Sequence, residues 1–251
     1  MVFKNLSSES QKYLVALSLV MLILFALNVF QLYVGLESLA FWGYPHVSSF
    51  FEDSNNPIRM KKSTCPVFIG PDETKQVVVT ITNTSTLSEV AYFQTVITSP
   101  DSEYDSKYLL EQVSLLPHET RIISFNLNKS NFVRNRYVLS RSFVSWQPVY
   151  VSTRSIACHS VVIDFFGLPS DVIGYGTFSL LIAISTLLAV LFLKSDPLFK
   201  RNNRPRSSYV FLLSAITLMT IGSLIGSWLI SFIMFVLIVL GFFAFWQVDF
   251  K

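Results

Sequence analysis

The chain contains two cysteines, and their positions favour a disulfide over catalysis. Cys65 and Cys158 lie near the two ends of a polar segment that runs to about Phe166. In an oxidising compartment such a pair is expected to form a bridge, and closing a loop of roughly 90 residues stabilises a fold by about 4 to 5 kcal/mol. The alternative is a reactive Cys158 activated by His159. Adjacent residues on a strand point to opposite faces, whereas a nucleophile and its base need hydrogen-bond contact, so the disulfide is favoured.

Other reactive residues do not fit a known catalytic or metal centre. The three histidines are His46, His118 and His159. They are scattered, without the spacing of a zinc site. The sequence has no G-x-S-x-G, P-loop, H-E-x-x-H or C-x-x-C motif. Asp101, Glu103 and Asp105 place oxygen ligands at alternate positions, but a solvated loop is favoured over a calcium site. We therefore predict no catalytic residue, no metal ligand and no cofactor.

The composition is that of a membrane protein. Hydrophobic residues make up 51% of the 251 residues and charged residues 14%, whereas soluble domains carry about 25% charged residues. The apolar residues are concentrated in a few runs, so we predict an integral membrane protein in contact with membrane lipids. The cations cluster beside these runs. They therefore predict topology rather than nucleic acid binding.

Four apolar runs are predicted to be transmembrane helices. They cover residues 14–34, 172–193, 209–224 and 230–246. At 1.5 Å per residue, the roughly 21 residues of the first run span the ~30 Å hydrocarbon core. A cleaved signal peptide is the alternative for this run, because Ser38-Leu39-Ala40 resembles a cleavage site, but the run is longer than a usual signal sequence. The last two runs are separated only by residues 225–229, which predicts a tight hairpin rather than one re-entrant element.

Polar residues inside these runs predict helix packing. The runs lack ionisable side chains in their interiors, which disfavours a proton-coupled transporter. Gly222 and Gly226 are four residues apart, and we expect them on one helical face that packs closely against a helix of this chain or of a partner subunit. Asn28 and Gln31 are expected either to hydrogen bond to another helix or to reach the membrane interface.

A basic segment, residues 194–208, determines the predicted orientation. Its cations are Lys194, Lys200, Arg201, Arg204 and Arg206. Short loops rich in Lys and Arg stay cytoplasmic, whereas large domains translocate largely regardless of charge. We therefore predict a multi-pass protein of the plasma membrane. Both termini, residues 1–13 and 247–251, are expected in the cytoplasm, and the central polar segment outside.

A segment of mixed aromatic and basic residues, 35–64, follows the first predicted helix. Phe41, Trp42 and Tyr44 come directly after the span, where aromatic rings favour the headgroup region. A short interfacial helix or loop is expected. The alternative is a groove in which the same aromatics bind a ligand.

The central segment, residues 65–166, is predicted to be a β-sandwich. Ile123, Phe125 and Leu127 alternate with polar residues, so that one face points inward. About seven short strands separated by turn-rich segments are the number in an immunoglobulin-like sandwich. The predicted strands are Cys65–Ile69, Gln76–Thr82, Val90–Thr98, Tyr108–Leu116, Thr120–Leu127, Arg136–Trp146 and Arg154–Phe165.

Two short stretches of this segment carry a family resemblance. The residues Val79-Thr80-Ile81-Thr82-Asn83-Thr84-Ser85, and later Leu116-Pro117-His118-Glu119-Thr120 before an alternating strand, resemble the immunoglobulin-like modules of bacterial and archaeal surface proteins, including the CARDB-like group. The resemblance covers about 100 residues. It implies the fold and an extracytoplasmic compartment, and it implies no activity.

These features predict a non-enzymatic protein that displays the sandwich to another membrane or surface protein, as an accessory subunit or interaction module. Arg134, Arg136 and Arg141 form a basic group that would meet an acidic partner, unless they lie on a solvated strand face. One alternative is a component that acts on lipids or cell-envelope polymers at the outer leaflet through the aromatics Phe41 to Phe51. A channel or transporter is disfavoured.

Overall fold

The computed structural model describes residues 8–41, 57–100, 106–145, 155–165, 167–195 and 203–249. Both helices and mixed β-sheets are present, and the chain divides into two compact units. The helical unit comprises Met1–Tyr33 and Gly174–Lys251, and the sheet unit comprises Val34–Ile173. The last turns of the first helix and the first turn of the second helix therefore belong to the sheet unit.

The described residues contain four helices, which differ from the predicted spans mainly at their ends. They are α1 Ser8–Ala40, α2 Ser170–Ser195, α3 Asn203–Leu224 and α4 Trp228–Asp249. Residues 35–40, predicted to lie outside the membrane helix, continue α1 without interruption because they contain no proline and only one glycine. The basic loop predicted over 194–208 is shorter, because α3 begins at Asn203 and includes Arg204 and Arg206.

Two of these helices are long and apolar enough to cross a membrane. The segment Gln11–Ala40 has a mean hydropathy of 2.5, and Ser170–Lys194 has a mean hydropathy of 2.3. The apolar parts of α3 and α4 within the described residues, Val210–Leu224 and Trp228–Gly241, are shorter.

In the described part of the chain, eight strands form two sheets. They are β1 Ile58–Thr64, β2 Phe68–Ile69, β3 Lys75–Asn83, β4 Glu89–Thr98, β5 Ser106–Leu115, β6 Thr120–Leu127, β7 Tyr137–Ser145 and β8 Ile156–Val162. The first sheet has three antiparallel strands in the order β1-β3-β6. The second has five strands in the order β2-β8-β7-β4-β5, of which only β2 and β8 run parallel.

The first strand is the main error of the sequence prediction. Cys65–Ile69 is a strand only at Phe68–Ile69, and β1 lies in the segment that was predicted to border the membrane. In β1 the side chains of Ile58 and Met60 are buried, whereas Arg59 and Lys61 are exposed. The exposed cations of β1 resemble the basic residues that border a membrane span, which is why the strand was not predicted. A register shift after Met60 also interrupts the alternation of buried and exposed residues.

One hydrophobic core receives side chains from both sheets. The three-stranded sheet contributes Val77, Val79, Ile81, Ile123, Phe125 and Leu127, and the five-stranded sheet contributes Ala91, Phe93, Ile97, Val113, Val138 and Val144. The predicted alternation in β6 is confirmed, because Ile123, Phe125 and Leu127 are buried while the residues between them are exposed.

A tight turn joins α3 to α4. The Ser227 N–H donates to the Gly222 carbonyl oxygen at 2.8 Å, and the Gly226 N–H donates to the Ser223 carbonyl oxygen at 3.1 Å. Gly226 has φ +70°, so the helix ends in a Schellman motif with glycine in the left-handed region. The prediction that Gly226 lies with Gly222 on one helical face is therefore wrong, because the helix ends at Leu224.

Gly222 does mark a close approach between α3 and α4. A Cβ atom at this position would lie 2.9 Å from Ile230 Cγ2 and 2.9 Å from Ser231 Oγ. A side chain larger than hydrogen would have to displace the side chains of Ile230 and Ser231 on α4, which agrees with the packing role predicted for a small residue.

Candidate functional site

The two cysteines lie together in the sheet unit. Cys65 follows β1 and Cys158 lies in β8, and their sulfur atoms are at disulfide-bonding distance with the Cα atoms 5.7 Å apart. The disulfide joins the segment between β1 and β2, where the chain passes from one sheet to the other, to β8 of the five-stranded sheet. Neither cysteine is free, so no thiol is available for His159 to activate. Burial lowers the pKa of His159 to about 4, which leaves the imidazole neutral at neutral pH.

Arg141 is the most deeply buried charged side chain among the described residues. It lies on β7 and is 8% exposed. Its Nη1 donates to the Leu39 carbonyl oxygen at 2.7 Å and to that of Phe41 at 3.3 Å. Its Nε and Nη2 donate to Ser155 Oγ at 3.0 and 2.9 Å. The guanidinium therefore fixes the end of α1 to β7 within the sheet unit.

The electrostatics of this contact are favourable despite the burial. Burial lowers the pKa of Arg141 to about 10, so the side chain remains charged at neutral pH. The last turn of α1 contains no basic residue of its own. Arg141 supplies a cation at the negative end of the helix dipole and satisfies carbonyl groups that lack a partner within the helix.

The predicted basic group is therefore divided. Arg134 and Arg136 are exposed, whereas Arg141 is a buried structural residue, so the prediction that all three form one surface is wrong. Arg134 and Asn135 have φ of 48° and 55°, in the left-handed region. They form a tight turn in which the Val133 N–H donates to the Tyr137 carbonyl oxygen at 2.8 Å. The exposed Arg134 therefore lies in this turn and the exposed Arg136 directly after it, and the left-handed conformation costs on the order of 1 kcal/mol per residue.

A second polar cluster, which the sequence did not reveal, surrounds Glu73. Its carboxylate accepts from the Gly70 N–H at 2.8 Å, from the Ser170 N–H at 2.9 Å and from Ser170 Oγ–H. Lys75 Nζ lies 3.7 Å from this carboxylate and also pairs with Asp171. Ser170 and Asp171 begin α2, so Glu73 places a negative charge at a helix N-terminus. In the sequence, Ser170 before an apolar run indicates the start of a helix, and this was the signal from which a contact at the helix end could have been predicted.

The Glu73 carboxylate is strongly stabilised in its charged form. Its partial burial alone would raise the pKa, but the hydrogen bonds from Ser170 and Gly70 and the charge of Lys75 outweigh burial and lower the pKa to about 2. The cluster is fully occupied in holding the loop before β3 against the first turn of α2. The Glu73 carboxyl group itself is deprotonated at neutral pH.

Asn83 and Asn128 each begin an Asn-x-Ser/Thr triplet, the pattern of a glycosylation acceptor, and both also have structural roles. Asn83 is buried, and its Nδ2 donates to the carbonyl oxygens of Leu87 at 2.8 Å and Leu116 at 3.1 Å. Asn128 caps a 3-10 turn at Lys129–Asn131 through its side chain. The side chain of Asn83 is not accessible to a modifying enzyme.

The outer edge of the five-stranded sheet is one exposed surface of the sheet unit. β5 pairs only with β4 and is the last strand of its sheet. Leu109 and Leu110 are 44% and 58% exposed, and the neighbouring Lys107 and Glu111 are also exposed. An edge strand of this length is a surface on which another chain can bind.

Two further predicted site residues, Phe41 and Lys194, have described side chains. Phe41 is buried in the sheet unit, which argues against its predicted place at the membrane interface, and Lys194 is exposed in the last turn of α2. Outside the described residues lie Trp42, Tyr44, Lys200, Arg201, Asp101, Glu103 and Asp105. Within the described parts of the chain, no group of three His, Cys, Asp or Glu side chains could hold a metal ion.

Polar contacts also occur within the helical unit. Asn28 on α1 donates from Nδ2 to Thr220 Oγ1 on α3 at 2.8 Å. The predicted hydrogen bond from Asn28 to another helix is therefore present, within this chain. Phe25 and Phe235 stack with ring centroids 6.0 Å apart, which joins α1 to α4.

No protein family profile matches this sequence, and no curated protein matches it. Among solved structures, a β-glucosidase from Listeria innocua in complex with glucose is similar with 20% identity and a TM-score of 0.34, over 45% of this chain and 17% of that chain. The CARDB domain of a Pyrococcus furiosus protein, in complex with di-metal ions, is similar with 13% identity and a TM-score of 0.33, over 46% of this chain and 95% of that chain. The chain thus spans less than a fifth of the β-glucosidase.

Proposed function

We propose that this chain is a non-enzymatic integral membrane protein in which four transmembrane helices carry an extracytoplasmic, immunoglobulin-like β-sandwich. The observation that carries the proposal is the position of the sheet unit, which lies in sequence between two helices that are long and apolar enough to cross a membrane. α3 and α4 form a hairpin whose described apolar parts complete the membrane block. The basic residues after α2 favour the cytoplasm for that end and the opposite side for the sheet unit.

The strand order supports an immunoglobulin-like arrangement. If β1 and β2 are counted as the two halves A and A′ of one strand, the sheets read A-B-E and A′-G-F-C-C′. Both sheets contribute to one core, as in a sandwich. The disulfide departs from the antibody pattern, because it joins the A–A′ crossover to G rather than B to F.

The proposed role of the sandwich is to bind another membrane or surface protein, with the protein serving as an accessory subunit or interaction module. The open edge of β5 supports this role, since its leucines are exposed beside charged residues of both signs. The exposed Arg134 and Arg136 offer a basic contact for an acidic group. In contrast, Glu73, Arg141 and the cysteine pair already have structural partners.

The proposal is tested by site-specific photocrosslinking in the native membrane. A photoreactive residue at Leu110 on the β5 edge should give a discrete adduct with one protein, which mass spectrometry identifies. The matched control is Ile122, which is 67% exposed on the other sheet and should give no such adduct. Absence of an adduct at Leu110, or equal adducts at both positions, would contradict an interaction through this edge.

The alternative role at the outer leaflet has no specific observation in its favour. Phe41, the first of its aromatics, is buried, and residues 42–51 lie outside the described part of the chain.

A further inference from the structure

The helical unit contains buried polar atoms that have no hydrogen-bond partner among the described residues. They are Asn28 Oδ1, Gln31 Oε1 and Ser185 Oγ. Asn28 is 0% exposed and Gln31 is 5% exposed. These two residues are three positions apart on α1, so their side chains lie on the same face, one turn apart. Two unpartnered acceptor oxygens are therefore neighbours in an apolar interior, where an unmet acceptor is costly.

The orientation of the Asn28 amide is determined by its partners. Its Nδ2 donates to the Leu24 carbonyl oxygen and to Thr220 Oγ1, both at 2.8 Å. The Leu24 carbonyl can only accept, and Thr220 uses its own hydrogen to donate to the Ile216 carbonyl oxygen at 2.8 Å. Turning the amide over would place its oxygen against two acceptors. Oδ1 must therefore accept a hydrogen bond from another group.

We propose that the helical unit binds one buried water molecule that bridges Asn28 Oδ1 and Gln31 Oε1. Water carries two O–H donors, which is the number that two acceptor oxygens require. Side chains one helical turn apart have Cβ atoms about 5 to 6 Å apart, so a single water molecule can lie within hydrogen-bond reach of the end of each side chain. Buried waters typically occupy such positions, between polar groups that lack other partners.

Size and charge favour water over other hydrogen-bond donors. The near-complete burial of both side chains leaves no approach for a lipid headgroup or for a helix of another protein. A monovalent cation would also be attracted to two amide oxygens. However, residues 11–33, 174–193 and 210–241 contain no Asp or Glu, so no carboxylate of these apolar segments could balance its charge.

A double-mutant cycle on the full chain in detergent tests the bridge. Asn28→Leu and Gln31→Met are near-isosteric and remove one acceptor each. Each change should lower the Tm, and the double variant should lose less than the sum of the two, because either change alone already breaks the bridge. The control combines Gln31→Met with Val15→Ala, at an exposed position about 24 Å away along α1, and the two losses should be additive. Additive losses for Asn28 and Gln31, or a Tm that rises in the single variants, would overturn the proposal.

Two measurements on the unmodified protein avoid reliance on variants that fail to fold. A Tm that is equal in sodium chloride and choline chloride at the same ionic strength supports water, whereas a rise specific to sodium would identify a cation and overturn the proposal. A density map that resolves buried solvent should show one peak about 2.8 Å from both oxygens. Such a map with other buried waters and no peak here would also overturn it.

Discussion

The sheet unit and the helical unit satisfy their buried polar groups in different ways. Within the described residues, all three buried side-chain atoms that lack a hydrogen-bond partner lie in the helical unit, and none lies in the sheet unit. In the sheet unit even the charged Arg141 has several acceptors. Polar contacts between side chains and backbone therefore help to fix the geometry of the sheet unit, whereas the described residues of the helical unit leave three buried polar atoms without a partner.

Particular contacts illustrate this contrast. Thr98 in the sheet unit donates to the carbonyl oxygens of Asn131 at 2.9 Å and Leu139 at 3.2 Å and accepts from the Leu139 N–H at 3.1 Å. In the helical unit, Gly222 contributes through the absence of a side chain, because side chains of α4 lie within 2.9 Å of the position that its Cβ would occupy. The loss of stability caused by a substitution should therefore have a different physical cause, and a different magnitude, in each unit.

The largest expected effect is the loss of the bridge in the sheet unit. Replacing both Cys65 and Cys158 by Ala should reduce the free energy of unfolding by about 4 to 5 kcal/mol, because the unfolded chain loses a closed loop of 93 residues. Chemical denaturation of the purified protein measures the change. Mass analysis without reduction provides the control, and two free thiols in protein from its native membrane would contradict the bridge.

The next largest expected effect is the loss of the buried guanidinium group of Arg141. Arg141→Met should destabilise the sheet unit by about 3 kcal/mol, because the carbonyl groups at the end of α1 and Ser155 lose a charged donor. The matched control is Arg136→Met at an exposed position, for which a change within about 0.5 kcal/mol is expected. Denaturant unfolding compares the two variants. Equal losses of stability in the two variants would contradict a structural role specific to Arg141.

Substitution of a glycine tests the packing of the helical unit. Gly222→Leu should cost about 1 to 3 kcal/mol, because the added side chain displaces Ile230 and Ser231. Gly176→Leu on α2 is the control, since a Cβ there meets nothing within 4 Å. Thermal unfolding and size-exclusion chromatography in detergent measure stability and assembly. If both variants behave like the unmodified protein, close packing at Gly222 is not required.

The smallest effect is a dependence of stability on pH through Glu73. Its folded pKa of about 2 lies below the ordinary value of 4.5, so its contribution is present above about pH 4.5 and is lost as the pH falls towards 2. Glu73→Gln should flatten the decrease in stability over this range, and Ser170→Ala should flatten it in part. Unfolding measured at several pH values tests this, and an unchanged pH profile in Glu73→Gln would contradict the assignment.

Much of the fold could be predicted because the periodicity of apolar residues indicates helices and strands, and turn residues indicate where they end. The alternation Ile123, Phe125, Leu127 placed β6 correctly, and the apolar runs placed the helices. β1 was missed because Arg59 and Lys61 on its outward face resembled the basic flank of a membrane span. Gly226 was misassigned because four-residue spacing does not reveal where a helix ends.

The polar contacts could not be predicted, because they join residues distant in sequence. Arg141 meets Leu39 and Phe41 about 100 residues away, and Glu73 meets Ser170 97 residues away. No local pattern distinguishes Arg141 from the exposed Arg136. The fold of the sheets brings these groups together, and only tertiary structure shows which arginine is buried.

The central claim, that the sheet unit lies outside the membrane with the basic segment inside, is tested most directly by cysteine labelling in intact cells. Leu87→Cys, in the exposed turn between β3 and β4, and Lys194→Cys, at the end of α2, serve as reporters. A maleimide that cannot cross membranes should label Leu87→Cys in intact cells and Lys194→Cys only after permeabilisation. Labelling of Lys194→Cys but not Leu87→Cys in intact cells would contradict the proposed topology.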